Sequence, residues 1–310
     1  MLGLLAVSFL LLAACAEDDP TVGETGGALT GATGDSATGA TAAATAAECA
    51  AGSEIPYQTA GTLTIGTDNP VFQPWFAGTG DYGEWEAQPN QGTGNPASGE
   101  GFESAFAYAL AAELGFAAED VVWEPLNFNE SYRPGPKDYD FYIGQVSYTP
   151  ERAEAVTYSA PYFDVNQALV ANEGTPIAEA TSLADLQPYL LGVQIGTTSH
   201  TYVVENIQPE QEPRVFDRSV DVIQALNNGQ IDGYVVDAPT GYVNVLIGQA
   251  ENGVVVGQFP SEGEYFGAIF ETGNPLVDCV NLGIEALEAD GTLPALQEEW
   301  LADITYPVLQ

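Results

Sequence analysis

At 310 residues the chain is long enough for two ordinary domains, and an apolar fraction of 45% supplies material for real cores. Its formal net charge of −39, with five Lys and Arg against 44 Asp and Glu, excludes electrostatic binding to nucleic acid, and an anionic membrane surface would repel it. Acidity of this kind with so few lysines points to a salty exterior, where screening relieves self-repulsion.

Met1 to Ala14 is an apolar run too short to cross a bilayer, and it ends in Leu12-Ala-Ala-Cys15, small residues directly before a cysteine. The motif resembles the bacterial lipobox, so residues 1–15 are expected to be an export signal ending on a lipidated Cys15. Ala, Thr, Gly and acidic residues then follow without an aromatic side chain, a composition that cannot offset chain entropy, and 16–48 is expected to be a disordered tether. With Cys15 assigned to lipid, Cys49 and Cys279 remain as an even pair in an oxidising compartment. They form either a disulfide or two buried thiols. The one histidine, His200, and the lack of a CxxC pair give no support to a metal site or a thiol-redox site, and no cofactor is expected.

Leu63 to Thr67 reads as a strand ending in the turn Asp68-Asn-Pro, followed by a long loop rich in Gly, Pro and aromatics that reaches Gly99. Phe102, Phe106, Ala109, Leu110 and Leu114 recur at helical spacing up to a stop at Gly115. Val121 to Trp123 and Asp140 to Ile143 are further strands. From Gln167 the pattern starts afresh: a strand at Ala168–Val170, a helix opening at Ser182-x-x-Asp185, a buried strand at Leu191–Gln194 and a cap at Gly196-Thr-Thr-Ser199. Ser219 is expected to cap a helix through Val220, Ile223 and Leu226. Ile231 to Val236 is a strand closing on Asp237, with Pro239 in the first turn of the next helix. Tyr265 to Phe270 is the last strand, and helices at Pro275–Ala289 and Thr292–Leu301 finish the chain. This alternation indicates α/β lobes with largely parallel sheets, and the rhythm occurs twice.

Among the five cations, Arg133, Lys137 and Arg214 sit beside Pro, Gly or acidic residues typical of solvated loops, and Arg218 opens a helix. Arg152 alone lies between a buried strand, Tyr139 to Val146, and a second apolar segment. A guanidinium there either pairs with one of the many acidic side chains or grips a carboxylate through paired hydrogen bonds, and the local pattern leaves both open.

Seven motifs in order carry a resemblance to the solute-binding proteins of ABC importers, in the branch for polar amino acids. They are Gly101-Phe-Glu with Leu114-Gly115, Asp138-Tyr-Asp140, Ser147-Tyr-Thr-Pro-Glu-Arg152, Tyr158-Ser-Ala-Pro-Tyr162, Gln194-Ile-Gly-Thr-Thr198, Gly229-Gln-Ile-Asp232 with Asp237, and Asp290-Gly-Thr292 with Trp300. The resemblance runs from about Gly61 to Leu301. It implies a periplasmic-binding-protein type 2 fold, with residues 52–164 plus 265–310 as lobe 1, 165–264 as lobe 2, and two chain crossings between them. Cys49 and Cys279 then share a lobe.

The resemblance further implies that Arg152 grips a ligand carboxylate, helped by Gln145, Ser147, Thr197 and Thr198, and that Asp237 faces an ammonium. Trp75 and Phe128 fall at apolar or aromatic walls of the pocket, and Asp68 near an acidic position after the first strand. Core packing explains Trp75 and Phe128 nearly as well, and a plain turn explains Asp68 equally well. The expected protein is a monomeric, lipid-anchored, extracytoplasmic binding protein with importer membrane subunits as partners, and no enzyme. The alternatives are a dehydratase-like enzyme on the same fold and a binder of an ectoine-type solute.

Overall fold

A computed structural model describes residues 44–52, 54–78, 94–260, 263–301 and 306–309. The expected signal with Cys15, most of the expected tether and most of the long loop before Gly99 lie outside the described residues. The chain enters as helix α1 (Ala46–Ala50), where the Thr45 side chain accepts from the Glu48 amide and the Glu48 carboxylate accepts from the Thr45 amide. This reciprocal cap sets a short helix where residues 44–48 were expected to be tether.

Strand β1 (Leu63–Asp68) follows, buried on both faces, and then helix α2 (Phe102–Glu113). Gly101 opens α2 at φ 94°, and a Cβ there would sit 2.6 Å from the Trp75 carbonyl oxygen, so only glycine lets the two segments pass. Next come β2 (Val121–Leu126), α3 (Phe128–Ser131), β3 (Phe141–Tyr142), α4 (Pro150–Ala153) and β4 (Thr157–Tyr158). The chain leaves this lobe through β5 (Phe163–Asp164).

The second lobe holds β6 (Gln167–Asn172), β7 (Leu191–Gln194), α5 (Thr198–Tyr202), β8 (Arg214–Phe216), α6 (Ser219–Asn227), β9 (Gly233–Asp237), α7 (Ala238–Leu246) and β10 (Gly253–Gln258). The return runs through β11 (Tyr265–Phe266) to β12 (Ile269–Phe270), α8 (Leu276–Ala289) and α9 (Thr292–Leu301).

One sheet has the order β2-β1-β3-β12-β4 and the other β10-β6-β9-β7-β8, while β5 and β11 pair with each other at the crossing. The pairings β1–β2, β1–β3, β7–β8 and β7–β9 are parallel. Strands next to the crossings, β6 and β12, run antiparallel to their neighbours. All but one of the expected strands and helices have a counterpart, and the departures have local causes. Tyr265–Phe270 is two strands, because Gly267 turns the chain from the crossing pair into the first sheet. Asp185 and Ser182 do bond reciprocally, but the helix expected there is only a turn at Ala184–Leu186, cut short by Pro188. Arg218, rather than Ser219, precedes the first turn of α6, and the Ser219 hydroxyl donates instead to Gln194 Oε1 at 2.5 Å.

The first core gathers Leu63, Ile65, Phe102, Phe106 and Phe270 with the buried stripe of α8, whose Leu276, Val280, Ile284 and Leu287 recur at three- and four-residue spacing. Cys49 and Cys279 are joined there as a disulfide spanning 230 residues of sequence. The chain end was expected in this lobe. Instead Leu309 packs in the second lobe's core and Val308 bridges to Gln258, because an apolar pair can extend the β10 edge. Lys137 also departs from expectation: it is buried, and its ammonium donates to the carbonyls of Ser131 and Arg133, with burial lowering its pKa.

Candidate binding cleft

The carboxyl ends of the parallel strands all open onto one cleft, where open α/β sheets place their ligands. Asp68 ends β1, Asn127 and Phe128 follow β2, Gln145 and Ser147 follow β3, Thr197 and Thr198 follow β7, and Asp237 ends β9; all line the cleft, as do Trp75 and Arg152. All nine predicted ligand-binding residues are thus brought to one wall-to-wall space of about 1250 Å³, its open mouth included.

Arg152 is set by α4, whose first turn is fixed by Pro150 and by Thr149, which accepts from the Arg152 amide. The residue is only 8% exposed. Nη1 donates to the Ser147 carbonyl at 2.7 Å, and Nη2 donates to the Gly196 carbonyl of the opposite lobe, also at 2.7 Å. The Tyr132 ring lies beneath it at 4.7 Å and Phe128 at 5.5 Å. Among the described residues no carboxylate forms an ion pair with it. A guanidinium has five N–H groups; two carbonyls orient it, the Tyr132 and Tyr158 hydroxyls lie within its reach, and a donor remains for an anion.

Gly196 is a point of close approach between the lobes. It takes φ +75°, and a Cβ there would meet Asn129 Oδ1 and the Tyr132 hydroxyl, each at 2.6 Å. Other contacts cross the cleft: Trp75 Nε1 donates to Thr240 Oγ1 at 2.7 Å, and the Ser147 and Thr198 hydroxyls lie 3.4 Å apart.

Gln145 and Ser147 reach the wall, but their polar atoms are already engaged. Gln145, at the unusual φ of 50°, gives both its backbone and side-chain amides to the Glu103 carboxylate, which also accepts from the Tyr162 hydroxyl at 2.5 Å. Glu103 is fully buried, and desolvation pushes its pKa up to about 7 against the pull of those hydrogen bonds. Ser147 Oγ donates to Glu264 Oε1 at 2.5 Å. Thr197 caps α5, accepting from the His200 amide and donating to the Gln194 carbonyl. Asp68 Oδ1 accepts from the Asn69 and Phe128 amides, the turn role that its sequence position allowed. Trp75 is wholly buried, edge-on to Phe102, Phe163 and Phe266, so it is core and cleft wall at once.

Behind Asp237 stands an amide that sequence reasoning missed. Gln167 Nε2 donates to Asp237 Oδ1 at 2.6 Å and to both Glu264 oxygens at 3.2 Å, while Gln167 Oε1 accepts from Ser199 at 2.5 Å. Burial first, and the neighbouring Glu264 second, raise the Asp237 pKa well above the carboxylate range. Gln167 opens β6 at one crossing and Glu264 precedes β11 at the other, so one hydrogen-bonded group ties both crossings to the ligand wall. Glu103 belonged to the Gly101-Phe-Glu motif of the resemblance, but nothing in the sequence gave it a place in the cleft.

The bacterial extracellular solute-binding proteins, family 3, match residues 84–303 of the chain. The chain belongs to this family. Among its relatives, the L-cystine-binding protein TcyJ of Escherichia coli (strain K12) is 30% identical over 251 residues, covering 79% of this chain and 85% of the relative. An ancestral arginine-binding protein solved with arginine superposes with a TM-score of 0.62 at 28% identity, covering 78% of this chain and 98% of the other. An ancestral amino acid-binding protein described as a precursor of cyclohexadienyl dehydratase gives 0.61 at 26% identity, over 77% and 95%. Family members are binding proteins with two such lobes.

Proposed function

We propose that the protein is an extracytoplasmic solute-binding protein of an ABC importer, which captures an α-amino acid by closing its lobes on the zwitterion. The observation that carries this reading is the opposition of charges in the cleft: Arg152 from the first lobe, held by carbonyls and free of carboxylate partners among the described residues, and Asp237 from the second. An α-carboxylate takes the remaining Arg152 donors, and an α-ammonium takes Asp237. Only a ligand with both charges engages both lobes, so closure depends on the zwitterion. Similarity to arginine- and cystine-binding relatives supports an amino acid as cargo.

The protein acts as a monomer, transforms nothing, and is tethered to the membrane by lipid on Cys15, delivering its ligand to the importer's membrane subunits. The similarity to a dehydratase precursor is the one observation on the side of an enzyme, and that precursor is itself an amino acid-binding protein. A thermal-shift screen of the amino acids, L-cystine and ectoine, followed by calorimetry, tests the reading. A binder at 100 times its Kd adds about 2.7 kcal/mol of stability, and mass spectrometry should recover the ligand unchanged. Stabilisation by ectoine alone would redirect the assignment to a compatible solute, and turnover of any ligand would make the protein an enzyme. In cells, Cys15→Ser should release the protein from membranes; equal partitioning of the two forms removes the anchor.

A further inference from the structure

The cleft does not end at Asp237. It continues into the second lobe as a gallery between α6 and α7, floored by β9. Asp237, Thr240 and Asn244 are spaced by three and four residues, so they share one face of α7 and form one side of the gallery. Val222 and Ile223 of α6 line it opposite, and Tyr234 lines its floor. From Asp237 to Asn244 the helix rises about 10 Å.

The far end of the gallery carries the neutral polar groups of Tyr234, Asn244 and Gln249. Gln249 lies there, only 9% exposed, and its Nε2 has no hydrogen-bond partner among the described residues. Its position is fixed from the other side, because its carbonyl accepts from Asn227 Nδ2 at 2.7 Å. The Tyr234 hydroxyl, itself 2% exposed, accepts from Asn244 Nδ2 at 3.1 Å, which leaves its own proton to give. A buried donor left bare costs stability, and a native chain retains such a group where something else completes it.

We propose that this gallery is a second ligand subsite, which takes the distal end of the amino acid through a neutral hydrogen-bond acceptor held by Gln249 Nε2 and the Tyr234 hydroxyl. A carboxylate is disfavoured, because the cation that lines the cleft on this side, Arg218, opens α6 at the end opposite Asn227, the residue that bonds Gln249. A guanidinium or ammonium is disfavoured because the waiting groups are donors. The chemical class is therefore an amino acid whose side chain ends in a carbonyl of the amide or urea kind. The inference rests on the reading of Arg152 and Asp237 as the zwitterion clamp, which fixes the near end of the ligand.

The test is calorimetric titration of L-citrulline, L-arginine, Nε-acetyl-L-lysine and L-norleucine into wild type, Gln249→Leu and Arg152→Ala. Citrulline and arginine differ at one terminal atom, acceptor against donor, and norleucine carries the clamp's groups with no distal polar atom. Wild type should bind citrulline or Nε-acetyl-lysine at least about tenfold more tightly than norleucine and more tightly than arginine, the scale of one buried donor satisfied or stranded. Gln249→Leu should erase that ratio and melt no lower than wild type, since the deleted donor makes no bond within the protein. Gln249→Glu, which replaces the donor with an acceptor, should shift preference toward arginine. If Gln249→Leu leaves the ratio intact, or if arginine outbinds citrulline in wild type, the subsite is wrong while the clamp stands. A gallery holding only water gives wild type no preference for citrulline or Nε-acetyl-lysine over norleucine, and that result likewise overturns the subsite. Binding of all four probes undiminished by Arg152→Ala overturns the clamp, and with it the inference.

Discussion

The two walls of the cleft are built on different plans. On the first-lobe side the main groups have supports of their own lobe, besides their contacts across the cleft: Arg152 a carbonyl and a tyrosine ring, Gln145 the buried Glu103, and Trp75 an aromatic cluster on the side of the molecule that carries the disulfide. On the second-lobe side Asp237 hangs from the single amide of Gln167, next to a like-charged Glu264, and Gln249 has a donor with nothing to hold. One wall is preformed, and the other is completed by what enters. Preorganised donors on one side lower the ordering cost of binding, while unsatisfied groups on the other make closure depend on the ligand.

The contrast can be broken at its strongest point first. Arg152→Ala should lower ligand affinity by about 2–5 kcal/mol, because it strands a desolvated carboxylate, and the variant should keep its fold and its far-UV spectrum. Asp237→Asn should cost less, because its amide keeps the shape; calorimetry on both variants gives the ranking, and equal losses would remove the asymmetry between walls. Reducing the disulfide, or replacing Cys49 and Cys279 by Ala, should destabilise the protein by about 2–5 kcal/mol in denaturant unfolding, with ligand affinity in the folded protein nearly unchanged. Gly196→Ala acts on closure itself. Its added methyl meets Asn129 and Tyr132 only when the lobes are together, so affinity should fall by about tenfold or more, and small-angle scattering with ligand should show a more open particle than wild type.

The last effect is a slope with pH. The folded state raises the Glu103 pKa from 4.5 to about 7, so the folded protein binds the extra proton, and this contribution to stability is full below pH 4.5 and lost as pH rises through about 7. Melting temperature of the unliganded protein should fall across that window, and Glu103→Gln should flatten the fall. Asp237 is shifted in the same direction, so ligand binding, which needs its carboxylate form, should strengthen as pH rises.

What the sequence disclosed follows the same division. Arg152 stood out because a cation is rare in this chain and sits between apolar segments, a pattern that left its role open, and the part given to Asp237 came from the resemblance alone. The alternation of strands and helices was legible from hydrophobic periodicity. The groups that tie the walls together were not, since Gln145 meets Glu103 across 42 residues and Gln167 meets Glu264 across 97. No local pattern encodes such meetings; they exist only once two crossings bring the lobes together. The cap at Thr45 and Glu48 was present in the sequence as a threonine followed three residues later by a glutamate, and was hidden by the low-complexity run around it. Gln249 had no signal at all, because lacking a partner is a property of the fold.

The central claim is that the ligand's carboxylate and ammonium are gripped by opposite lobes. It is tested most directly by titrating the amino acid that binds most tightly in the screen beside its decarboxylated amine and its deaminated acid, with scattering to follow closure. The account predicts that the intact zwitterion binds and compacts the protein, while each analogue, lacking one of the two charges, binds far more weakly and leaves the lobes apart. An amine that binds and closes the cleft as well as its parent amino acid would contradict it.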